Sequence, residues 1–266
     1  MANPVGECWL CGNRAPLSFE HIPPEAAFND RPVVLAAWQD FESGYGSEYV
    51  REGRGGHTLC ERCNNRTGGS YGPAFVEWCY HGFNLLSHTQ GKASQNFHGE
   101  IYPLRVVKEI ATIFFSVCGP EFRTVNQTLV EFVLNERRTG LPPDYGFHVF
   151  WYGGGVLRQA GVTGVINVET SKQSFFAEFI HPPFGYILNL GGVLPDKRPC
   201  SISDFAGYDY DDCRTINRRF PVLETNWKCP GDYRTLEEIE RDKAINDIAA
   251  AGHPEPKLEW ERRRGS

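Results

Sequence analysis

Four of the nine cysteines stand in two Cys-x-x-Cys pairs, Cys8/Cys11 in CWLCG and Cys60/Cys63 in TLCERCNN. A Cys-x-x-Cys knuckle turns tightly enough for both thiolates to reach one ion, and two knuckles complete a tetrahedral four-thiolate zinc site. A site closed in this way has no position for a reacting water, so the expected zinc is structural. Loss of the metal should unfold the segment that it ties together. A redox role is the weaker reading, because that chemistry uses one Cys-x-x-Cys in a βαβ setting. The other cysteines, Cys79, Cys118, Cys200, Cys213 and Cys229, are irregularly spaced and read as buried free thiols.

Between the knuckles lies SFEHIPPEAAF, and an Asn pair follows the fourth cysteine. In CWLCG, FEHIPP and TLCERCNNRTG, taken in that order, the chain resembles the HNH (ββα-metal) endonuclease family in its zinc-bearing form. The resemblance covers Cys8 to about Gly69, a quarter of the chain. It implies a zinc-stapled nuclease module that hydrolyses phosphodiester bonds of DNA to 5′-phosphate and 3′-hydroxyl ends. It also suggests a setting in bacterial defence, mobile elements or phages.

The roles implied by the resemblance make chemical sense. His21 is the expected general base, since an imidazole titrating near pH 6.5 is largely neutral at pH 7 yet accepts a proton from water. Its second nitrogen should donate to a carbonyl, for which the backbone is the expected source. Glu20 and Asn64 are the expected ligands of a catalytic Mg²⁺ or Mn²⁺ ion, as one carboxylate and one amide oxygen suit a hard cation. Asn65 is the adjacent alternative. Successive strand residues point to opposite faces, so Glu20 and His21 call for irregular backbone or a phosphate held between them. The family's middle Asn falls here on Gly55, and nearby His57 is the candidate to order the loop or add a ligand. Arg62 and Arg66 flank the Asn pair and suit either phosphate contact or a solvated surface.

These residues need elements to hold them. Residues 8–69 are rich in Gly, Pro, Cys and polar types, and such a segment builds little core without a staple. Helices are expected over Gly72–Leu86, Leu104–Val117, Gln127–Asn135 and Leu236–Ala251. Between Tyr145 and Leu190, YGFHVFWY, GVTGVINVE, SFFAEFI and GYILNLGG read as antiparallel strands. HPPFGY (His181–Tyr186) reads as a turn between two of them, and YDYDDC as an acidic loop. The fold class expected is therefore α+β: a zinc-stapled ββα-metal module over residues 1–90, then an α+β domain with an antiparallel sheet over 91–266. The second part has no motif with chemistry; substrate selection, partner binding or regulation are its expected roles.

The formal net charge is -6, against non-specific coating of nucleic acid. Residues 1–82 carry 6 basic and 10 acidic side chains, residues 83–199 carry 10 and 9, and residues 200–266 carry 11 and 14. With no basic arm, contact with DNA, or with RNA, must use a local patch, a metal, an activating protein partner or a homo-oligomer. No apolar run approaches the roughly 18 residues that span a bilayer, and the N-terminus lacks a signal pattern, so no membrane and a cytoplasmic location are expected. A non-catalytic zinc ribbon that binds nucleic acid or protein, and an RNase using the same residues, are the competing function classes.

Overall fold

β1 (Val5–Glu7) and β2 (Arg14–His21) form an antiparallel pair around the first cysteine knuckle. The computed structural model describes residues 3–30, 32–40, 44–50, 52–89, 92–153, 157–168, 170–194 and 196–223. The expected helix at Leu236–Ala251, and Cys229, lie outside the described residues. After β2 the chain makes a separate antiparallel hairpin, β3 (Val33–Asp40) and β4 (Gly44–Val50), and returns as β5 (Gly55–Cys60). β5 pairs with β2, giving the order β1-β2-β5. α1 (Glu61–Ser70) and α2 (Gly72–Leu86) follow directly.

The second stretch opens with β6 (Ser94–Ile101) and α3 (Pro103–Cys118). Pro103 sits at the helix start, where its missing N–H costs nothing, and Gly119 ends the helix at φ +88°, a backbone conformation open to glycine. α4 (Phe122–Val125) and α5 (Gln127–Leu134) lead into β7 (Gly146–Trp151), β8 (Arg158–Asn167), β9 (Lys172–His181) and β10 (Phe184–Asn189). With β11 (Cys200–Ser201) these build an antiparallel sheet of order β11-β7-β10-β9-β8. All four strand-like segments of the sequence lie in it. Pro182-Pro183 is the two-residue connection between β9 and β10, where His181 pairs with Phe184. The last strand, β12 (Arg214–Pro221), pairs along its whole length with β6, a partnership between segments more than a hundred residues apart. The chain is thus mixed α+β with antiparallel sheets.

Trp78 shows how α2 is fixed to these sheets. Its ring stacks on Phe184 at 4.7 Å and lies 4.3 Å from Phe97, while its Nε1–H donates to the Tyr186 hydroxyl at 2.9 Å. An indole buried this way satisfies its one donor and contributes all its apolar area. α3 is buried along nearly its whole length. The apolar cluster to which both helices belong runs from Cys8 to Phe220, so packing is continuous across residue 90. Polar ties cross the same line: the Tyr71 hydroxyl donates to the Val133 carbonyl at 2.6 Å, and the Tyr210 hydroxyl to the Ser70 carbonyl at 3.0 Å. Arg123 pairs with Glu7 beside the first knuckle.

Fully buried Lys108 caps α5, its Nζ donating to the carbonyls of Phe132 at 2.6 Å and Asn135 at 2.5 Å. Burial lowers its ammonium to about 7. In YDYDDC, Asp211 holds both Arg105 (3.0 Å) and Arg137 (3.2 Å), and Asp212 holds Arg214 (3.1 Å). These acids are neutralised by arginines. No helix among the described residues is long and apolar enough to cross a membrane.

Candidate metal centre and adjoining His21 site

The turn between β1 and β2 is closed by Gly12 N–H to Cys8 O at 2.8 Å and Cys8 N–H to Asn13 O at 3.0 Å. Trp9 N–H donates to Thr58 O at 2.9 Å, fastening this knuckle to β5. Cys60 ends β5 and Cys63 lies in the first turn of α1. The strand pair and its helix thereby gather all four sulfurs, which lie within 4.8 Å of one another. Cys11 and Cys60 Sγ are 3.9 Å apart. Four sulfurs at about 2.3 Å from one tetrahedral zinc would be about 3.8 Å apart, so the cluster fits a metal ion such as zinc. Its protons behave as crowded thiols should. The hydrogen bond from Cys63 draws Cys8 down to about 4, while that bond, burial and the neighbouring thiolates push Cys63 well up. A cation at the centre relieves that crowding.

One residue of β5 is extra. Ser18 pairs with Leu59 but Glu20 pairs with Gly56, so His57 and Thr58 together stand opposite Phe19, as in a β-bulge. Glu20 and its neighbour Thr58 turn toward α3, where Glu20 Oε1 accepts hydrogen bonds from the Ser116 hydroxyl at 2.7 Å and from the Thr58 hydroxyl. Burial raises the Glu20 carboxyl to about 7 against the pull of these two hydroxyls. Deeper in α3, buried Glu109 is raised to about 8 by burial first and by the charge of Glu20 second, and its Oε2 has no hydrogen-bond partner among the described residues.

His21 faces the other way. Its Nε2 lies 2.9 Å from the Glu52 carbonyl. A carbonyl only accepts, so Nε2 carries the hydrogen and the lone pair of the neutral ring is on Nδ1. Nδ1 has no hydrogen-bond partner among the described residues. The half-exposed Phe19 ring stands edge-on to His21 at 5.2 Å and to His57 at 5.6 Å, so these three share one face. His57 Nδ1 donates to Leu17 O at 3.1 Å, a tie between strands.

Asn64, in the first turn of α1, closes on β2 opposite the bulge. Its Nδ2 donates to Ser18 Oγ at 3.0 Å and to Phe19 O at 3.4 Å. That commits the amide nitrogen and leaves Oδ1 without a donor among the described residues. Asn65, Arg62 and Arg66 are exposed on α1, and Arg66 lies 3.5 Å from Glu136.

No family model, curated protein or solved structure matches this chain. What the site can do is therefore read from its own atoms. Zinc fits the four sulfurs. Glu20 Oε2 and Asn64 Oδ1 are hard oxygens free of hydrogen bonds among the described residues, the donor type that Mg²⁺ or Mn²⁺ takes. Sequence reasoning missed Thr58 and Ser116, which hold Glu20, and Glu52, whose carbonyl orients His21. Thr58 had a faint signal, a hydroxyl two residues before a cysteine on a strand. Glu52 had none, because only its backbone acts.

Proposed function

We propose that the chain is a metal-dependent endonuclease of the HNH type, cutting DNA to 5′-phosphate and 3′-hydroxyl ends, with a structural zinc on Cys8, Cys11, Cys60 and Cys63. The observation that carries this reading is the His21 ring, held through Nε2–H by a backbone carbonyl so that Nδ1 is the basic atom. His21 Nδ1 takes the proton of the attacking water, and the Glu52 carbonyl stabilises the imidazolium that results. Glu20 and Asn64 are the residues that would hold Mg²⁺ or Mn²⁺, whose chemistry when bound is to neutralise charge on the phosphate and on the leaving 3′-oxygen. Thr58 and Ser116 fix one carboxylate oxygen of Glu20, as outer partners of ligating carboxylates do. Because Glu20 and His21 lie on opposite faces of β2, a phosphodiester served by both lies across the end of that strand.

One observation favours a second reading, a zinc module that binds without cutting: the Glu20 carboxyl is turned toward the interior at α3. Incubating the zinc-loaded protein with supercoiled plasmid, and separately with RNA, in Mg²⁺ or Mn²⁺ and with an EDTA control separates the two. The nuclease reading expects EDTA-sensitive nicks with ligatable ends. Cleavage of RNA alone moves the activity to that substrate. Neither nucleic acid cut, with zinc retained, leaves the binding module.

A further inference from the structure

We infer that Asn29 is a positioning residue for His21, acting through the loop that presents the Glu52 carbonyl; this rests on the nuclease reading for its consequence in rate. Asn29 is 1% exposed, and three atoms of the adjacent segments meet its amide. Its Nδ2 donates to Pro23 O at 2.7 Å and to Arg54 O at 2.7 Å, and its Oδ1 accepts Arg54 N–H at 2.7 Å. Pro23 is two residues past His21, and Arg54 two residues past Glu52. One planar side chain therefore clamps both segments whose other ends are the imidazole and its carbonyl partner. A buried amide used on three of its four hydrogen-bonding sites has a single orientation, and the groups it holds inherit that order.

The surrounding contacts point the same way. Ile22 N–H donates to Arg54 O at 2.8 Å and Arg54 Nε to Ile22 O at 3.1 Å, which extends the β2–β5 pairing past the last strand residue. Between Glu52 and Arg54, Gly53 has φ +78°, and a Cβ there would stand 1.8 Å from the Asn29 carbonyl oxygen. Only glycine lets the loop pass so close. The clamp is anchored from outside as well: the Arg54 guanidinium lies 5.0 Å from the centre of the Phe179 ring in β9, and His181 Nε2 lies 3.2 Å from Phe28 O. His57 does not share this task, because its bond goes to Leu17 O, within the strand pair. The amide that orders the His21 loop thus comes from the segment after β2, upstream of the β3–β4 hairpin.

The test reads the His21 ring directly, by long-range ¹⁵N–¹H NMR of imidazoles in the full zinc-loaded chain, alongside plasmid cleavage. Wild type should show His21 as the Nε2–H tautomer. Asn29→Ala and Gly53→Ala should give a mixture of tautomers, zinc content unchanged, and a kcat lower by roughly 10–100-fold with KM within about threefold. Asn29→Asp, which keeps the acceptor for Arg54 N–H and removes both donors, should give the same mixture should the alanine variants fold poorly. Leu129→Ala, in the core of α5, is the control for lost stability alone and should leave the tautomer as in wild type. An unchanged tautomer in Asn29→Ala and Asn29→Asp, or an equal change in Leu129→Ala, overturns the inference. Should wild type cut nothing, the nuclease reading fails by itself, and the tautomer still decides the clamp.

Discussion

The β2–β5 pair carries a candidate site at each end, and the two are held by different means. At the Cys60 end, the residues that would bind the ion are also the ones that shape the backbone: two tight turns, each carrying its own pair of ligands. At the His21 end, the imidazole is held by a backbone carbonyl, the carbonyl by a loop, and the loop by the Asn29 amide. Glu20 likewise depends on Ser116, from a helix far along the chain. The first end is a local device that a metal completes; the second is assembled from distant segments and inherits its geometry from the whole fold. Damage should therefore spread differently from the two ends.

Removal of zinc is the largest perturbation, since structural zinc in small modules is worth about 10–16 kcal/mol at neutral pH. Chelation should strip amide-exchange protection from β1, β2, β5 and α1 while β7, β9 and β10 keep theirs; retained protection in β2 and β5 without metal would mean that the cysteine end does not depend on an ion. Next comes the buried acid under the site. Glu109 in the folded chain holds its proton up to about 8, and in the unfolded chain only to about 4.5. The folded state thus binds more protons across that window, and stability falls as pH rises from about 4.5 to about 8. Glu109→Gln should flatten this slope by on the order of a few kcal/mol, seen by thermal unfolding at pH 5 and pH 8. Parallel slopes for both proteins would mean the carboxyl is ionised throughout.

Smaller effects sharpen the contrast. Ser116→Ala removes a hydroxyl bond to a carboxyl and should cost about 1–3 kcal/mol in urea unfolding. It should also slow cleavage although Ser116 lies on α3, and an unaltered rate would detach Glu20 from the chemistry. His57→Ala should cost about 0.5–1.5 kcal/mol, leave zinc stoichiometry unchanged, and leave His21 as the Nε2–H tautomer. Arg66→Ala removes a surface pair with Glu136 and should change stability by less than about 0.5 kcal/mol.

The same division decides what could be read in advance. The cysteine spacing specified the cluster, since each knuckle encodes its own turn. Gly72–Leu86 read as a helix because its apolar residues recur at helical intervals, and the structure places α2 on those residues. The strands of Tyr145–Leu190 carried β-branched and aromatic runs cut by turn residues. The pairing of β6 with β12 was not legible, because neither SQNFHGEI nor RTINRRFP names its partner. Nor were Ser116 and Asn29, whose roles consist of hydrogen bonds to groups distant in sequence. The expectation that a backbone carbonyl would hold the His21 ring came from the chemistry a base requires, and Glu52 stands in that place. The inward turn of Glu20 at Ser116 had no sequence signal.

The proposed role of His21 as the base of a nuclease can be tested directly. Zinc-loaded wild type and His21→Ala, matched in zinc content and thermal stability, should be incubated with supercoiled plasmid and Mg²⁺ or Mn²⁺. Wild type should nick or linearise the plasmid, and the variant should lose roughly 10²–10⁴-fold in rate. Equal cleavage by the two proteins would mean that His21 is not the base.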